Sequence, residues 1–191
     1  MTKIGVLALQ GAFIEHEKAL RKLGVETRQV RLPQHLNGLD GLIIPGGEST
    51  TIGKLATSYN LMEPLRSYAR EKPTWGTCAG MIFLAKELGY NQQPILGLMD
   101  ITVDRNAFGR QINSFEADLD IPVIGDEPFH AVFIRAPVAT SAREDVQVLS
   151  ALDDGRIVAA QQRHLIATAF HPELTNDLRL HRYFLSMIKK D

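Results

Sequence analysis

The chain has 191 residues, of which 45% are hydrophobic and 23% are charged, and its formal net charge is −1. These values suit a single soluble domain spanning residues 1–191, and they argue against binding to nucleic acid or to an anionic membrane, which demands clustered positive charge. The single cysteine excludes an intrachain disulfide and fits a reducing compartment. Residues 4–9 are too few for the apolar core of a signal peptide, and no run is long enough to span a membrane, so we expect a cytoplasmic protein.

The first half of the chain alternates β-like and helix-like segments. An apolar run predicts a buried strand at residues 4–9, and β-like runs predict three more, at residues 25–32, 41–44 and 74–76. Helical patterns predict four helices, at residues 13–23, 50–59, 61–71 and 81–88. Gly24 is expected to end the first helix, and Asn60 to separate the second from the third. This alternation is typical of a parallel sheet with helices on both faces.

The second half contains consecutive β-like runs and only one further helix. The runs lie at residues 95–103, 129–136, 146–152, 156–162 and 165–170. A hairpin turn at residues 153–155 makes part of the sheet antiparallel, and we expect the last run to return to the main sheet. A final helix over residues 177–189, capped by Asn176, ends near Lys189 and Lys190. The predicted fold is therefore α/β, with a three-layer, open and mostly parallel sheet, helices on both faces and an antiparallel β extension.

The only cysteine, Cys78, lies in a G-x-C-x-G pattern at residues 76–80, between a predicted strand and a predicted helix. This is the spacing of a nucleophile elbow, in which a sharp turn exposes the nucleophile and requires small residues on both sides. His171 and Glu173, after the predicted strand 165–170, can supply the base and the carboxylate that orients it. The alternative interpretation is a small buried cysteine and an unrelated loop histidine.

Four predicted strands are each followed by residues that can take part in catalysis or ligand binding. These residues are Gln10, Gly46 with Gly47, Cys78 and His171. Ligands of open α/β sheets bind at the carboxyl edge of the strands, so these residues are expected to share one crevice.

Backbone N–H groups of Gly46, Gly47 and Ala79 can form an oxyanion hole in that crevice. A tight turn with a helix cap at Ser49 or Thr50 is the alternative for the glycine pair.

Arg105 and Arg135 can each hold a substrate carboxylate, because the guanidinium fork matches its two oxygens, although either can equally be a surface arginine. The six histidines show no metal-binding spacing, so we expect no metal site.

The elbow at residues 76–80 followed by His171-Pro172-Glu173 resembles the class I (triad) glutamine amidotransferases, which share a flavodoxin-like α/β fold. Further segments narrow the resemblance to the glutaminase subunits of pyridoxal 5′-phosphate synthases; they lie at residues 5–11, 45–51, 104–111 and 133–137. The resemblance covers nearly the whole chain. One departure from the broader class is Ile82, where many members carry a glutamine four residues after the nucleophile.

The resemblance implies hydrolysis of L-glutamine to glutamate and ammonia through a cysteine thioester, with Cys78, His171 and Glu173 as the triad. It also implies a glutamine-binding set, which comprises Gly47, Glu48, Ser49, Arg105, Ile134 and Arg135. The implied partner is the synthase subunit of a large hetero-oligomer that makes pyridoxal 5′-phosphate (vitamin B6). No cofactor is expected, because a thiolate and an imidazole suffice.

A partner-controlled switch is a further hypothesis. The Gly46-Gly47 peptide is flexible, and a partner that contacts the Gln10-Gly11 loop and the first helix could set its orientation. The surface predicted for that contact comprises Gln10, Gly11, Glu15, His16 and Lys18, with Glu15 to Lys18 facing outward; an ordinary solvated face is the alternative. A cysteine peptidase and a non-catalytic regulatory module remain as alternative functions.

Overall fold

A computed structural model describes residues 2–90, 92–105, 108 and 114–188. The strands are β1 (Lys3–Leu7), β2 (Glu26–Val30), β3 (Gly41–Ile44), β4 (Thr74–Thr77), β5 (Ala85–Leu88), β6 (Met99–Asp104), β7 (Ser114–Leu119), β8 (Phe129–Ile134), β9 (Val138–Ala142), β10 (Gln147–Ala151), β11 (Ile157–Gln162) and β12 (Leu165–Thr168). The α-helices are α1 (Phe13–Lys22), α2 (Ser49–Ser58), α3 (Met62–Glu71), α4 (Ala79–Leu84) and α5 (Arg179–Ser186). Short 3₁₀ helices occupy Pro33–Leu36, Pro122–Ile124 and Pro172–Leu174.

The main sheet, within the described residues, has the strand order β2-β1-β3-β4-β12-β11-β9-β6-β5, and β10 also pairs with β11. The strands from β2 to β12 in this order are parallel, whereas β11 is antiparallel to β12, β9 and β10. A separate antiparallel hairpin is formed by β7 and β8. These pairings confirm the predicted parallel sheet with an antiparallel extension, and they confirm the return of β12 to the parallel part.

Helices cover both faces of the parallel strands. The order β2-β1-β3-β4 reverses direction at β1, and right-handed crossovers then place α1 on one face and α2 and α3 on the other. Side chains of α1 and α5 meet over Trp75 of β4, where His16 and His181 lie 5.8 and 5.0 Å from its ring. Contacts of α2 with α3 and α4 complete the opposite layer. The three-layer prediction is confirmed.

Three details of the turns follow from single residues. Gly24 has φ +73°, and its N–H donates to the carbonyl of Arg21 at 3.0 Å, so it ends α1 as predicted. Gly155, with φ +83°, makes the turn between β10 and β11. Asn60 lies between α2 and α3 with φ 54°, which breaks the helical path there.

Several predicted elements are wrong in extent or type. The helix predicted over residues 81–88 is instead α4 followed by the strand β5, because residues 85–88 pair with β6 and do not continue the helix. The run 95–103 forms a strand only from Met99 onward. The strands β7 and β9 were not predicted: β9 has one large apolar residue, Val138, and β7 was overlooked although its polar and apolar residues alternate.

The final helix begins at Arg179 after Leu178, so the predicted Asn176 cap is wrong. Asp177 anchors this start instead, as its carboxylate accepts from the Arg179 N–H at 2.9 Å. Lys189 and Lys190, and all of the matching segment 106–111 except residue 108, lie outside the described residues. Every helix in the described ranges is too short or too polar to span a bilayer.

Candidate active site

Cys78 lies in the sharp turn between β4 and α4. Its backbone has φ 49° and ψ −106°, an orientation that a residue with a side chain adopts only under strain. The turn is held by two backbone bonds: the Cys78 N–H donates to the carbonyl of Thr168 at 2.8 Å, and the Cys78 carbonyl accepts from Met81 at 3.0 Å. This geometry is the predicted nucleophile elbow.

Both glycines of the elbow are required by close backbone contacts. A Cβ on Gly76 would lie 2.4 Å from the carbonyl oxygen of Gly80, and a Cβ on Gly80 would lie 2.0 Å from that of Ile44. Carbon and oxygen atoms cannot approach so closely, so any larger residue would displace the turn or β3. The pattern of small residues around Cys78 therefore has a direct steric cause.

His171 and Glu173 follow β12, which is the neighbour of β4 in the sheet. Nδ1 of His171 donates to Oε1 of Glu173 at 2.6 Å, and the Cys78 side chain lies close enough to the ring to interact with it electrostatically. All three side chains are buried. Two adjacent parallel strands thus bring together a thiol, an imidazole and a carboxylate in the order that a nucleophilic triad needs.

Electrostatics in this cluster favour a charged imidazole. Burial lowers the pKa of His171, but its hydrogen bonds with Cys78 and Glu173 outweigh burial and raise the pKa to about 10. Burial raises the pKa of Glu173, whereas the nearby His16 and the hydrogen bond with His171 lower it, and the net pKa is below the usual range. A carboxylate and an imidazolium are therefore the stable pair.

The loop after β3 packs its backbone against the triad. A Cβ on Gly46 would lie 2.5 Å from Cε1 of His171 and 3.2 Å from Cβ of Cys78. The Gly46 carbonyl accepts from the Ala12 N–H at 3.0 Å, on the β1 side of β3. Since the C=O and N–H of a trans peptide point in opposite directions, the Gly47 N–H points away from Ala12, toward the β4 side where Cys78 lies.

The Gln10-Gly11 loop contacts the glycine pair on this same β1 side. Oε1 of Gln10 accepts from the Glu48 N–H at 2.6 Å and would lie 2.3 Å from a Cβ on Gly47. Gly11 has φ +102°, and a Cβ there would lie 1.8 Å from the Gly46 carbonyl oxygen. The end of β1 and the glycine pair are therefore in direct contact, as the shared-edge argument predicts.

Glu48 caps helix α2. The predicted alternative, a cap at Ser49 or Thr50, is therefore wrong. The Glu48 carboxylate accepts from the backbone N–H groups of Thr50 at 3.3 Å and Thr51 at 2.8 Å, and from both of their hydroxyls. Burial raises the pKa of Glu48, but these four hydrogen bonds lower it to about 2. Serine and threonine are common cap residues, so the sequence favoured them. Nothing in the sequence indicated that the Glu48 side chain would bond to the N–H groups of the first turn.

Arg105 lies beside the capped loop, with Nη2 3.6 Å from Oε1 of Glu48 and its guanidinium 5.7 Å from the Tyr90 ring centre. Ser49, the residue after Glu48, is buried, and its hydroxyl donates to Oε1 of Gln93 at 3.3 Å. Glu48, Ser49 and Arg105 thus belong to one region beside the glycine pair.

Ile134 and Arg135 end β8 on the other side of the triad. The Cys78 thiol donates to the Ile134 carbonyl at 3.8 Å, and the Val132 carbonyl accepts from the His171 N–H at 2.8 Å. Arg135 is exposed and has φ 45°, a strained value for a residue with a side chain. This strained turn directly follows the carbonyl that contacts the nucleophile.

Comparison with known proteins decides the family. A model of the SNO glutamine amidotransferase family matches residues 6–190. The chain belongs to this family. The amidotransferase is 62% identical to "Pyridoxal 5'-phosphate synthase subunit PdxT" of Herpetosiphon aurantiacus over 96% of this chain and 99% of that protein. It is 59% identical to the protein of the same name from Carboxydothermus hydrogenoformans, over 98% of each chain.

A solved structure gives the same result for the fold. A crystal structure described as that of a glutamine amidotransferase superposes on this amidotransferase with a TM-score of 0.91. The two chains are 53% identical, and the match covers 97% of this chain and 98% of the other. The family resemblance inferred from the motifs is confirmed.

The predicted outward orientation of His16 on helix α1 is wrong. Lys18 is exposed and Glu15 is partly exposed, but His16 and Glu17 are buried. His16 faces the sheet because α1 turns that side toward Trp75 of β4. The polar character of residues 15–18 hid this orientation, since a histidine between charged residues has the pattern of a solvated face.

Three buried polar groups near the site were not predicted from the sequence. The hydroxyl of Tyr90 and Nε2 of Gln93 are buried without a hydrogen-bond partner within the described residues, and both belong to the region of Ser49 and Arg105. His181 of α5 is buried against His16. Their sequence surroundings carry no motif.

Among the described residues, no three His, Cys, Asp or Glu side chains are arranged to hold a metal ion.

Proposed function

We propose that the amidotransferase hydrolyses L-glutamine to L-glutamate and ammonia, and delivers the ammonia to a synthase subunit that makes pyridoxal 5′-phosphate. The observation that carries the proposal is the contact of Cys78, His171 and Glu173 at the end of two adjacent strands, in a member of the glutamine amidotransferase family. The names of the two relatives supply the synthase assignment.

In the first half of the reaction, the Cys78 thiolate attacks the side-chain amide carbon of glutamine. The amide oxygen becomes an oxyanion, for which we assign the N–H groups of Gly47 and Ala79 as donors, with Gly46 placing that peptide against the triad. The His171 imidazolium gives its proton to the departing nitrogen, which leaves as ammonia, and a γ-glutamyl thioester remains on Cys78.

In the second half, neutral His171 takes a proton from water, and the resulting hydroxide attacks the thioester carbon. The carbon–sulfur bond breaks, glutamate leaves, and the thiolate and imidazolium are restored. Glu173 keeps the ring in the tautomer and orientation that serve both steps. For the glutamine α-carboxylate and amino group we assign the region of Glu48, Ser49 and Arg105 together with Ile134 and Arg135, although the Glu48 carboxylate also caps α2.

The partner-controlled switch also stays a proposal, and the contacts of the glycine pair give it a route. The Ala12 N–H holds the carbonyl of the Gly46-Gly47 peptide, and Gln10 holds the N–H of the next peptide, so a partner that displaces this segment changes the direction of the Gly47 N–H. The side of α1 available for docking carries Glu15, Lys18 and the exposed Ile14. A large hetero-oligomer in the cytoplasm, where Cys78 stays reduced, completes the proposal.

The switch predicts that adding the synthase subunit raises kcat by roughly 10²–10³, the effect of one oxyanion-hole donor. Charge reversal at Lys18 should lower the ratio of stimulated to unstimulated rate, since this residue is exposed on α1. Full activity of the isolated chain, with no response to the synthase subunit, would show that the peptide needs no partner.

The experiment that tests the hydrolysis itself is Cys78→Ala, assayed for ammonia release from glutamine in the presence of the synthase subunit. The variant should fold, because loss of one sulfur atom costs on the order of 1 kcal/mol, and it should release no ammonia above background. Substantial ammonia release by the folded variant would refute the role of Cys78.

A further inference from the structure

Behind the triad lies a buried row of polar side chains that the reaction scheme does not use. His16 of α1 and His181 of α5 are both fully buried, and they lie between the two helices and Trp75. Nδ1 of His16 is 3.2 Å from Nε2 of His181, and Nε2 of His16 is 3.1 Å from the hydroxyl of Thr77. Burying two imidazoles is costly unless their nitrogens are hydrogen-bonded, so this arrangement calls for a reason.

The row leads to the free oxygen of the triad carboxylate. Oε1 of Glu173 accepts from His171, whereas Oε2 is buried, lies 3.4 Å from Nε2 of His16, and has no hydrogen bond within the described residues. An ionised carboxylate in a buried site needs donors on both oxygens. His16 stands in the position from which an N–H can reach the second one.

One pattern of protons leaves no buried N–H of the row without an acceptor. Burial lowers the pKa of both histidines, that of His181 to about 3, so both rings are neutral and each carries one N–H. If the His16 proton is on Nε2, it points at Glu173 and Thr77, and Nδ1 accepts from the Nε2–H of His181. The remaining Nδ1 of His181, buried without a partner within the described residues, is then a bare acceptor. The opposite pattern leaves a buried N–H unpaired there and turns a lone pair toward the carboxylate.

We propose that His16 is a positioning residue of the active site: its Nε2–H supports the second carboxylate oxygen of Glu173, and His181 fixes the tautomer of His16. The inference rests on the proposed triad, because His16 acts on the reaction only through Glu173 and His171. It gives α1 a second link to the catalytic centre, in addition to the contact between its first residues and the glycine pair.

A purely structural role for His16 is the competing explanation, and a pair of variants separates the two. The amide nitrogen of glutamine overlies Nε2 of a histidine, whereas that of asparagine overlies Nδ1. His16→Gln therefore keeps a donor toward Glu173, and His16→Asn keeps only the polar atom toward His181. Both variants replace a buried ring by a smaller amide, so they share the loss of packing.

Glutamine hydrolysis by the full chain with the synthase subunit should distinguish the variants. We expect His16→Asn to lower kcat by about 10- to 100-fold with KM changed less than about twofold, and His16→Gln to retain most of kcat. The acid limb of kcat should move up by about one pH unit in His16→Asn, because the lost donor had stabilised the charged form of Glu173. The other titratable groups facing His16, which are His171, His181 and Glu15, are unchanged in both variants.

A direct measurement covers the case in which neither variant folds. In the wild-type chain labelled with ¹⁵N-histidine, the signals of His16 and His181 should both be those of the Nε2–H tautomer, and the signals of His181 should not titrate between pH 5 and 9. An Nδ1–H tautomer of His16, or equal activities and acid limbs for His16→Asn and His16→Gln, would overturn the inference. Absence of Cys78-dependent hydrolysis in the wild type would instead refute the proposed function.

Discussion

Gly46→Ala tests the steric fit between the glycine pair and the triad. The added Cβ would lie 2.5 Å from Cε1 of His171, and ordinary carbon–carbon contacts begin near 3.5 Å, so the ring must move by about 1 Å. A displacement of this size at a catalytic group lowers the rate by about 10². The movement also strains the 2.6 Å hydrogen bond between His171 and Glu173, so the free energy of unfolding should fall by about 2 kcal/mol.

The assay is steady-state ammonia release, combined with urea unfolding of the same samples. Gly89→Ala is the matched control, since the nearest atom to its Cβ would be 3.9 Å away, and it should leave both the rate and the stability near their wild-type values. A Gly46→Ala variant with wild-type kcat would refute the placement of this backbone against the imidazole.

Three further predictions address the triad, the substrate and the loop. His171→Ala should lower kcat nearly as far as loss of the thiol, because both proton transfers fail, while Glu173→Ala should retain more activity; single-turnover kinetics that rank them in reverse would show the roles to be exchanged. Arg105→Ala or Arg135→Ala should weaken glutamine binding by roughly 2–4 kcal/mol, measured by titration, and unchanged affinity in both would remove them from the site. Glu48→Gln should lower the free energy of unfolding by about 0.5–1 kcal/mol at pH 7. Because folding lowers the Glu48 pKa from 4.5 to about 2, this difference should vanish as the pH falls through that range, and a constant difference down to pH 2 would contradict the capping role.

The sequence predicted the parts of the fold that have a strong local signal. Strands β1 and β3 are almost wholly apolar, and the glycines at 76 and 80 are required by the close backbone contacts of the turn around Cys78. His171 could be placed beside Cys78 because both follow strands whose carboxyl ends share an edge. These predictions needed only periodicity and the geometry of α/β sheets.

The parts that failed depend on contacts between distant segments. Strand β5 continues directly from α4 because residues 85–88 pair with β6, and nothing local distinguishes them from a further helical turn. His16 is buried because it packs against His181, which lies 165 positions later in the chain. No local sequence pattern can encode such a contact. The cap of α2 by Glu48 likewise depends on the side chain folding over Thr50 and Thr51.

The central claim is that Cys78 attacks glutamine, and labelling tests it most directly. The amidotransferase is incubated with a chloroketone analogue of glutamine, digested, and examined by mass spectrometry. The electrophile can alkylate histidine and lysine as well as cysteine, so the labelled position is informative. We predict a single label on Cys78, which excess L-glutamine prevents and which stops ammonia release in proportion to its extent. A label on another residue, or labelling of Cys78 that glutamine does not reduce, would contradict the account.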